Sequence, residues 1–263
     1  KQNFLKMYRR QYLDLRATRE LVNGVRLTVG TIYENRMNLE NTTTQSWTKR
    51  DREYTPNIFQ PAQSVFLMLA KLSFTFGNKY VTTPKGKYNL GSDYPTIDLR
   101  YKKGITEGKS YLDAASIEIS DEMSFRLLGR LEWLVRGGTI FQNQLSANYF
   151  ADFVHSGANQ TNFDPGDFRR FNLMNYYQSS TNQQFVEIHA QHHFGGFFLN
   201  KLPLIRKLKW QEVAGIHFLY SKQHGNYAEA NFGLENIFKV IRADFHWRFA
   251  GNLYSSICTT VRG

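Results

Sequence analysis

The clearest pattern in the chain is a strict alternation of apolar and polar side chains from Ile241 to Phe249. Ile, Ala, Phe, Trp and Phe occupy the odd positions of this segment, and Arg, Asp, His and Arg occupy the even positions. Successive side chains leave a β-strand on opposite faces, so the segment is predicted to be a strand with one apolar and one charged face. The same alternation recurs along most of the chain, which predicts an all-β, antiparallel structure of about twelve strands.

The first hairpin has the strongest local signal. Residues 12–18 and 25–36 both alternate, and Asn23-Gly24 lies between them. Asn-Gly between two alternating segments is typical of a two-residue hairpin turn. A further strand, from Phe66 to Phe76, has Leu67 and Leu69 on its otherwise polar side, so we expect that side to contact packed protein.

Three segments predict long polar loops. They cover residues 41–61, 77–93 and 155–182, and they alternate with short turns such as Asn23-Gly24. In bacterial outer-membrane barrels the short turns lie on the periplasmic side and the long loops lie outside. We therefore expect the long loops at one end of the strands and the short turns at the other. Gly137-Gly138 is expected to end a strand, with a weaker strand following over residues 141–154.

The length of the alternating segments favours a membrane barrel over a soluble sandwich. The longest apolar run, Val65 to Ala70, is far shorter than the roughly 18 residues that a membrane-spanning helix needs. A mean hydropathy of −0.48 does not argue against a barrel, because only half of each barrel strand faces lipid. We predict a closed antiparallel transmembrane β-barrel over residues 1–263 as a single domain, part of a larger barrel if the precursor is longer. Closure is expected because lipid offers no partners to a sheet edge.

The alternation assigns each strand residue to one of two faces. Charged residues predicted to face the lumen are Arg126, Arg130, Glu132, Arg136, Glu187, His189, His193, Arg242, Asp244, His246 and Arg248. Residues predicted to face lipid are Leu127, Leu131, Trp133, Val186, Ile188, Ile216, Phe218, Phe232, Ile241, Phe245, Trp247 and Phe249. The lumen charges suit either a selective pore or ion pairs that hold the barrel shape, and we favour the second.

Net charge and cysteine content narrow the function classes. The net charge is +11, from 33 Lys and Arg against 22 Asp and Glu. The basic residues are spread over strands and turns, without a recognition helix or an aromatic RNA-binding strand, so no nucleic-acid partner is predicted. The single cysteine, Cys258, excludes an intrachain disulfide.

The best metal-ligand candidates share one face of a predicted strand. Glu187, His189 and His193 follow each other at even spacing, but residues i and i+2 lie nearly 7 Å apart along a strand, so a site needs neighbouring strands as well. Asp164 and Asp167 flank a Pro-Gly pair, which is more typical of a turn than of a calcium site. We predict no metal and no cofactor. Since no Gly-x-Ser-x-Gly, Gly-x-x-x-x-Gly-Lys or His-Glu-x-x-His motif is present, we predict no enzymatic activity.

The segment from Asn200 to Trp210 mixes apolar and basic residues between two strands. It suits contact with anionic lipid head groups, with Trp210 at the membrane interface. A packed turn that closes one mouth of the barrel suits it equally.

Several runs resemble a known family. They are residues 192–208, Tyr176-Tyr177, residues 179–181 and residues 233–237. Together they are similar to the C-terminal barrel of a Bacteroidota outer-membrane family whose members carry an N-terminal carboxypeptidase-regulatory-like β-sandwich. The resemblance implies an outer-membrane barrel of undefined role without peptidase activity, and it carries no catalytic residues. We expect a longer precursor, since the chain lacks a signal peptide, the sandwich and the usual terminal aromatic residue.

Taken together, the sequence predicts an integral β-barrel of the bacterial outer membrane. Its expected role is structural or accessory within an outer-membrane protein complex, in assembly or surface transport, with membrane lipid and other outer-membrane proteins as partners. The alternative is a pore or transporter for small polar or anionic solutes, which the lumen arginines would favour.

Overall fold

The computed structural model of the protein describes residues 8–40, 62–143, 168–174, 179, 181, 183–203, 205–250 and 257–262. Side chains are described for these residues except 142, 143, 250 and 257–262. The described chain consists of strands, connecting segments and three short 3-10 turns. No helix in these ranges is long and apolar enough to cross a membrane.

Thirteen strands follow one another along the described chain. They are β1 (Arg9–Val22), β2 (Val25–Met37), β3 (Gln63–Thr75), β4 (Lys79–Thr83), β5 (Gly86–Gly91), β6 (Thr96–Thr106), β7 (Lys109–Ser124), β8 (Arg130–Asn143), β9 (Phe185–His193), β10 (Gln211–Ser221), β11 (Gly225–Ile237), β12 (Ile241–Ala250) and β13 (Ile257–Arg262). The 3-10 turns are Arg126–Leu128, Leu199–Lys201 and Ile205–Leu208.

Eleven of these strands form one antiparallel sheet. Its order is β1-β2-β3-β6-β7-β8-β9-β10-β11-β12-β13, and β4 pairs only with β5 in a separate hairpin. The predicted all-β, antiparallel architecture is therefore confirmed. The sheet does not close within the described residues, because β1 pairs with β2 alone and β13 with β12 alone.

The sequence placed the first hairpin correctly. Strands β1 and β2 pair from Arg9 opposite Met37 to Glu20 opposite Arg26. The turn between them contains Gly24 at φ 80°, a backbone conformation that glycine adopts without steric cost.

Residues 77–93 differ from the predicted plain loop, because they contain the β4–β5 hairpin. Asn23 Nδ2 donates to the backbone oxygen of Asn78 at 2.9 Å, which holds the hairpin beside the β1–β2 turn. A long and a short connection thus share one end of the sheet, here called the hairpin end, and the predicted separation of loop lengths is wrong there. Lys87 Nζ at 2.5 Å and the Gly24 N–H both donate to Glu20 beside this turn.

Two predicted strand ends near β8 are wrong. Arg126 and Leu127 lie in a 3-10 turn outside the strand, because Gly129 at φ 91° redirects the backbone and Phe125 N–H bonds back to its oxygen at 2.7 Å. Strand β8 then continues unbroken through Gly137-Gly138, where a strand end was expected. A Cβ atom on Gly138 would lie 2.6 Å from the ring of Phe185, so this glycine makes room for a side chain of β9. The predicted loops 41–61 and 155–182 lie outside the described residues, except for parts of the second, and so do Asp164 and Asp167.

Alternate side chains of the sheet lie in different environments. In β9 the side chains of Glu187 and His189 are buried, whereas those of Val186 and Ile188 are exposed. Strand register carries the same division from β2 to β12. We call the buried side the polar face and the exposed side the apolar face.

A small apolar core interrupts the polar face near β2, β3 and β7. Ile32, Val65, Leu67, Tyr111 and Leu112 are buried there together, and Leu69 packs against them. The expectation that Leu67 and Leu69 contact packed protein is confirmed.

The polar face borders a cavity of about 390 Å³. Side chains from β1, β2, β3, β6, β7, β8 and β9 all line it, from Arg16 to Phe185.

Candidate functional site

A continuous chain of buried polar side chains crosses the polar face from β9 to β12. Arg242 donates to Asp244 at 2.9–3.0 Å and to Oε1 of Gln191 at 2.9 Å. Because a guanidinium only donates, Gln191 presents its oxygen to Arg242 and its amide nitrogen to Nε2 of His193 at 2.8 Å. His193 therefore accepts at Nε2 and donates from Nδ1 to Glu235 at 3.0 Å. The tautomer of His193 is thus set by an arginine three strands away.

A second branch leads from Asp244 back to β9. An ionised carboxylate only accepts, so Asn231 presents Nδ2 to Oδ1 of Asp244 at 3.5 Å. Its own Oδ1 then accepts from Nε2 of His217 at 3.2 Å. Nδ1 of His217 lies 2.9 Å from Nδ1 of His189, which donates to it, and Nε2 of His189 lies 3.8 Å from Glu187. In each hydrogen bond of this branch, the donor is therefore the residue nearer His189 and the acceptor is the residue nearer Asp244.

Two glycines provide the space for this network. A Cβ atom on Gly215 would lie 2.3 Å from Oδ1 of Asn231, and one on Gly233 would lie 2.3 Å from Oδ1 of Asp244. Such distances are far below any van der Waals contact. The amide and the carboxylate therefore lie directly over the backbone of the neighbouring strand.

Residues 168–174, here called the inserted segment, are bound to the polar face through a buried carboxylate. The backbone N–H groups of Asn172 and Leu173 each donate to a different oxygen of Glu229 at 2.8 Å. The hydroxyl of Tyr227 also donates to Glu229. Three donors thus satisfy one carboxylate on β11, which fixes the segment against the sheet.

Aromatic packing extends the contact of the inserted segment. The ring of Phe171 lies 4.8 Å from that of His189 and 5.6 Å from that of Tyr227, centroid to centroid. Phe171 and Met174 are buried together with Leu219 of β10. The segment therefore covers the polar face over β9, β10 and β11.

The other half of the polar face contains ion pairs. Glu34 on β2 bonds with both Arg10 and Arg36. On β6, Asp98 lies 2.9 Å from Nζ of Lys71 and 3.1 Å from Arg100. The cavity described above is lined by four cations, which are Arg16, Lys71, Arg100 and Lys102.

Most residues that the sequence assigned to a face lie on the expected face of the sheet. On the polar face are Arg130, Glu132, Arg136, Glu187, His189, His193, Arg242, Asp244, His246 and Arg248. On the apolar face are Leu131, Trp133, Val186, Ile188, Ile216, Phe218, Phe232, Ile241, Phe245, Trp247 and Phe249. Arg126 and Leu127 are on neither, for the reason given above. That these faces meet a lumen and lipid stays a prediction.

The suggested metal ligands do not converge on one point. His193 turns to Glu235 and Gln191, whereas His189 bonds to His217. Among the described residues, no three His, Cys, Asp or Glu side chains are arranged to hold a metal ion. Cys258 lies in β13, whose side chains are outside the description.

Sequence reasoning missed the central members of the network. Gln191, His217 and Asn231 carry no formal charge when His217 is neutral, so a search for lumen charges passed over them. Glu229 is charged and alternates correctly, but its role depends on the inserted segment, 55 or more residues earlier in the chain. A search for every polar residue at the alternate positions of β9–β12 whose side chains are buried would have found all four.

The sequence profile of the C-terminal domain of a family of unknown function, DUF5686, matches residues 1–234. No curated protein matches the chain. The match covers most of the sequence and supports the predicted resemblance to a family of unknown function. The Bacteroidota origin, the outer membrane and the N-terminal domain stay predictions.

Proposed function

The chain belongs to the family of unknown function DUF5686, and from the geometry of its sheet we propose that it is an integral β-barrel of the bacterial outer membrane with a structural or accessory role in an outer-membrane protein complex. One observation carries the proposal: polar side chains are buried and large apolar side chains are exposed across the sheet. Soluble proteins bury charged residues rarely and large apolar residues commonly.

This reversal of the usual burial, with polar side chains inside and apolar side chains outside, is pronounced in β9 to β12. Asp244 is fully buried, whereas Ile216 on the opposite face is 62% exposed and Phe249 is 56% exposed. Burying one such apolar side chain contributes about 1.5–3 kcal/mol, so a row of them left in water would be strongly unfavourable. Contiguous apolar patches beyond a few hundred Å² are rare on soluble monomers. Hydrocarbon tails are the surroundings that suit this face.

Strand length supports the same proposal. A tilted membrane-crossing strand needs about 9–11 residues. The shortest of β1, β2, β3 and β6 to β12 is β9 with 9 residues, and the longest is β7 with 16. In a bilayer the sheet must also close, because unpaired backbone groups find no partners in lipid.

The inserted segment favours a structural role over an open channel. It covers the polar face over three strands and is held by a buried carboxylate. A second candidate function is a pore or transporter for small anionic solutes, and the cavity lined by four cations favours it. We propose other outer-membrane proteins as partners, and we prefer the structural role to the pore.

Refolding into phosphatidylcholine vesicles tests the proposal. We expect the folded protein to float with the vesicles, to resist protease across the strands, and to migrate faster in SDS gels when unheated than when boiled. A protein that stays monodisperse and folded in buffer without detergent would overturn the membrane assignment.

Planar-bilayer recording then distinguishes the two candidates. A silent bilayer containing folded protein supports the structural role, whereas steady anion-selective current supports the pore. Cross-linking of the protein in the native membrane, followed by mass spectrometry, tests for neighbouring barrel proteins.

A further inference from the structure

Three neighbouring connections at the hairpin end of the sheet form one surface, here called the basic rim. It consists of residues 125–129 between β7 and β8, residues 194–203 and 205–210 between β9 and β10, and residues 238–240 between β11 and β12. Antiparallel order places all three at the same end.

Direct contacts join the three connections. Nε2 of His192 lies 2.8 Å from the backbone oxygen of Leu128, and its ring lies 6.1 Å from that of Phe125 and 4.4 Å from that of Phe194. On the other side, Nδ2 of Asn236 donates to the backbone oxygen of Lys209 at 2.7 Å. The rim is therefore continuous across six strands.

Large apolar side chains are exposed at the tips of the rim. Leu127 is 86% exposed, Phe238 is 78% exposed and Val240 is 72% exposed. Phe125, Leu128, Phe198, Leu202 and Leu208 are also exposed. A turn that merely closed the end of the sheet would pack these side chains inward.

Every charged residue of the rim is basic. The six cations, all exposed, are Arg126, Lys201, Arg206, Lys207, Lys209 and Lys239. The three connections contain no Asp or Glu, although six charges at the chain's ratio of 33 to 22 would include about two acidic residues. Glu212, the nearest acidic residue along the sequence, is buried and accepts from the backbone N–H of Leu199.

We propose that the basic rim binds anionic lipid head groups at the membrane interface. The exposed apolar side chains enter the acyl region, and the ammonium and guanidinium groups contact the head-group phosphates. Lys201 and Phe197 place a cation and an apolar ring side by side, with Nζ of Lys201 4.1 Å from the centre of the Phe197 ring. Free phosphate would leave Leu127 and Phe238 in water, so the lipid as a whole is the ligand. This inference rests on the proposed membrane function.

Lipid titration of the full chain, folded in neutral detergent, tests the inference. Native mass spectrometry would compare binding of phosphatidylglycerol with binding of phosphatidylcholine. Each lysine near an anionic surface strengthens binding by about 1 kcal/mol, which is roughly fivefold, so Lys207→Gln with Lys239→Gln is expected to weaken phosphatidylglycerol binding about 25-fold. The matched control is Lys109→Gln with Lys222→Gln, two lysines from the opposite end, and it is expected to change nothing.

The outcomes separate this inference from the proposed function. Equal binding of the two lipids, or equal losses in the two double variants, would overturn the basic rim while leaving the barrel intact. Displacement of phosphatidylglycerol by inorganic phosphate at matched ionic strength would also overturn it. Failure of the wild-type chain to fold in detergent or vesicles would count against the barrel itself. Unchanged heat-dependent gel migration would show that both variants fold.

Discussion

Placing an arginine at Ile216 separates a lipid-facing sheet from a water-facing one. Ile216 lies at the centre of β10 on the apolar face, opposite Ala230 of β11 and Ala190 of β9. Its neighbours are small and its side chain is 62% exposed, so a longer side chain meets no steric barrier. The environment alone then determines the effect of Ile216→Arg.

The two environments predict different magnitudes. Arginine at the middle of a barrel strand costs about 2–4 kcal/mol when it faces hydrocarbon. On a water-exposed surface the same substitution stays within about 0.5 kcal/mol. We expect the larger value, which corresponds to a loss of at least about 30-fold in the folding equilibrium constant.

Urea titration in phosphatidylcholine vesicles, with folded protein scored by gel migration without heating, measures this difference. Val81→Arg is the matched control, because Val81 is similarly exposed at 47% but lies in the β4–β5 hairpin outside the sheet. Ile216→Leu controls for the change of shape. If Ile216→Arg and Val81→Arg unfold at the same urea concentration as the wild type, the apolar face does not meet lipid.

Three further predictions concern the polar face and the hairpin. Glu229→Gln leaves one oxygen for the two backbone donors of the inserted segment, so hydrogen exchange of those amides should accelerate about tenfold or more; unchanged exchange would contradict the docking described here. Asp244→Ala removes the carboxylate partner of Arg242, whose side chain is only 11% exposed, and leaves its guanidinium with the neutral Gln191. It should destabilise the folded protein by about 3–5 kcal/mol in urea titration, and a loss below about 1 kcal/mol would show that the site is open to water. Lys87 pairs with Glu20 and so ties the β4–β5 hairpin to β1. Glu20→Gln should therefore speed amide exchange in β4–β5 at low ionic strength but less at high salt, where screening already weakens the wild-type pair, and a salt-independent effect would refute this.

Sequence reasoning succeeded where structure depends on local periodicity. A period of two residues assigned Glu187, His189 and Trp247 to their faces, because strand geometry alone fixes that alternation. The Asn23-Gly24 turn was equally local. Both needed no knowledge of the neighbouring strands.

It failed where distant residues determine the local structure. Gly138 lies inside a strand and not at its end, and its missing side chain leaves room for Phe185, 47 residues later. Phe171 reaches β9, β10 and β11 through tertiary packing that no alternation encodes. The contact of His189 with His217 depends on register between strands, and that emerges only when the sheet forms.

The first strand of the sheet has a consequence for insertion into a bilayer. Strand β1 has 14 residues and, within the described part of the chain, pairs with β2 alone, so about half of its backbone N–H and C=O groups point away from the described sheet. Each of these groups costs several kcal/mol if hydrocarbon surrounds it. In the proposed barrel, the outer edge of β1 would therefore have to pair with another strand before or during entry into the bilayer.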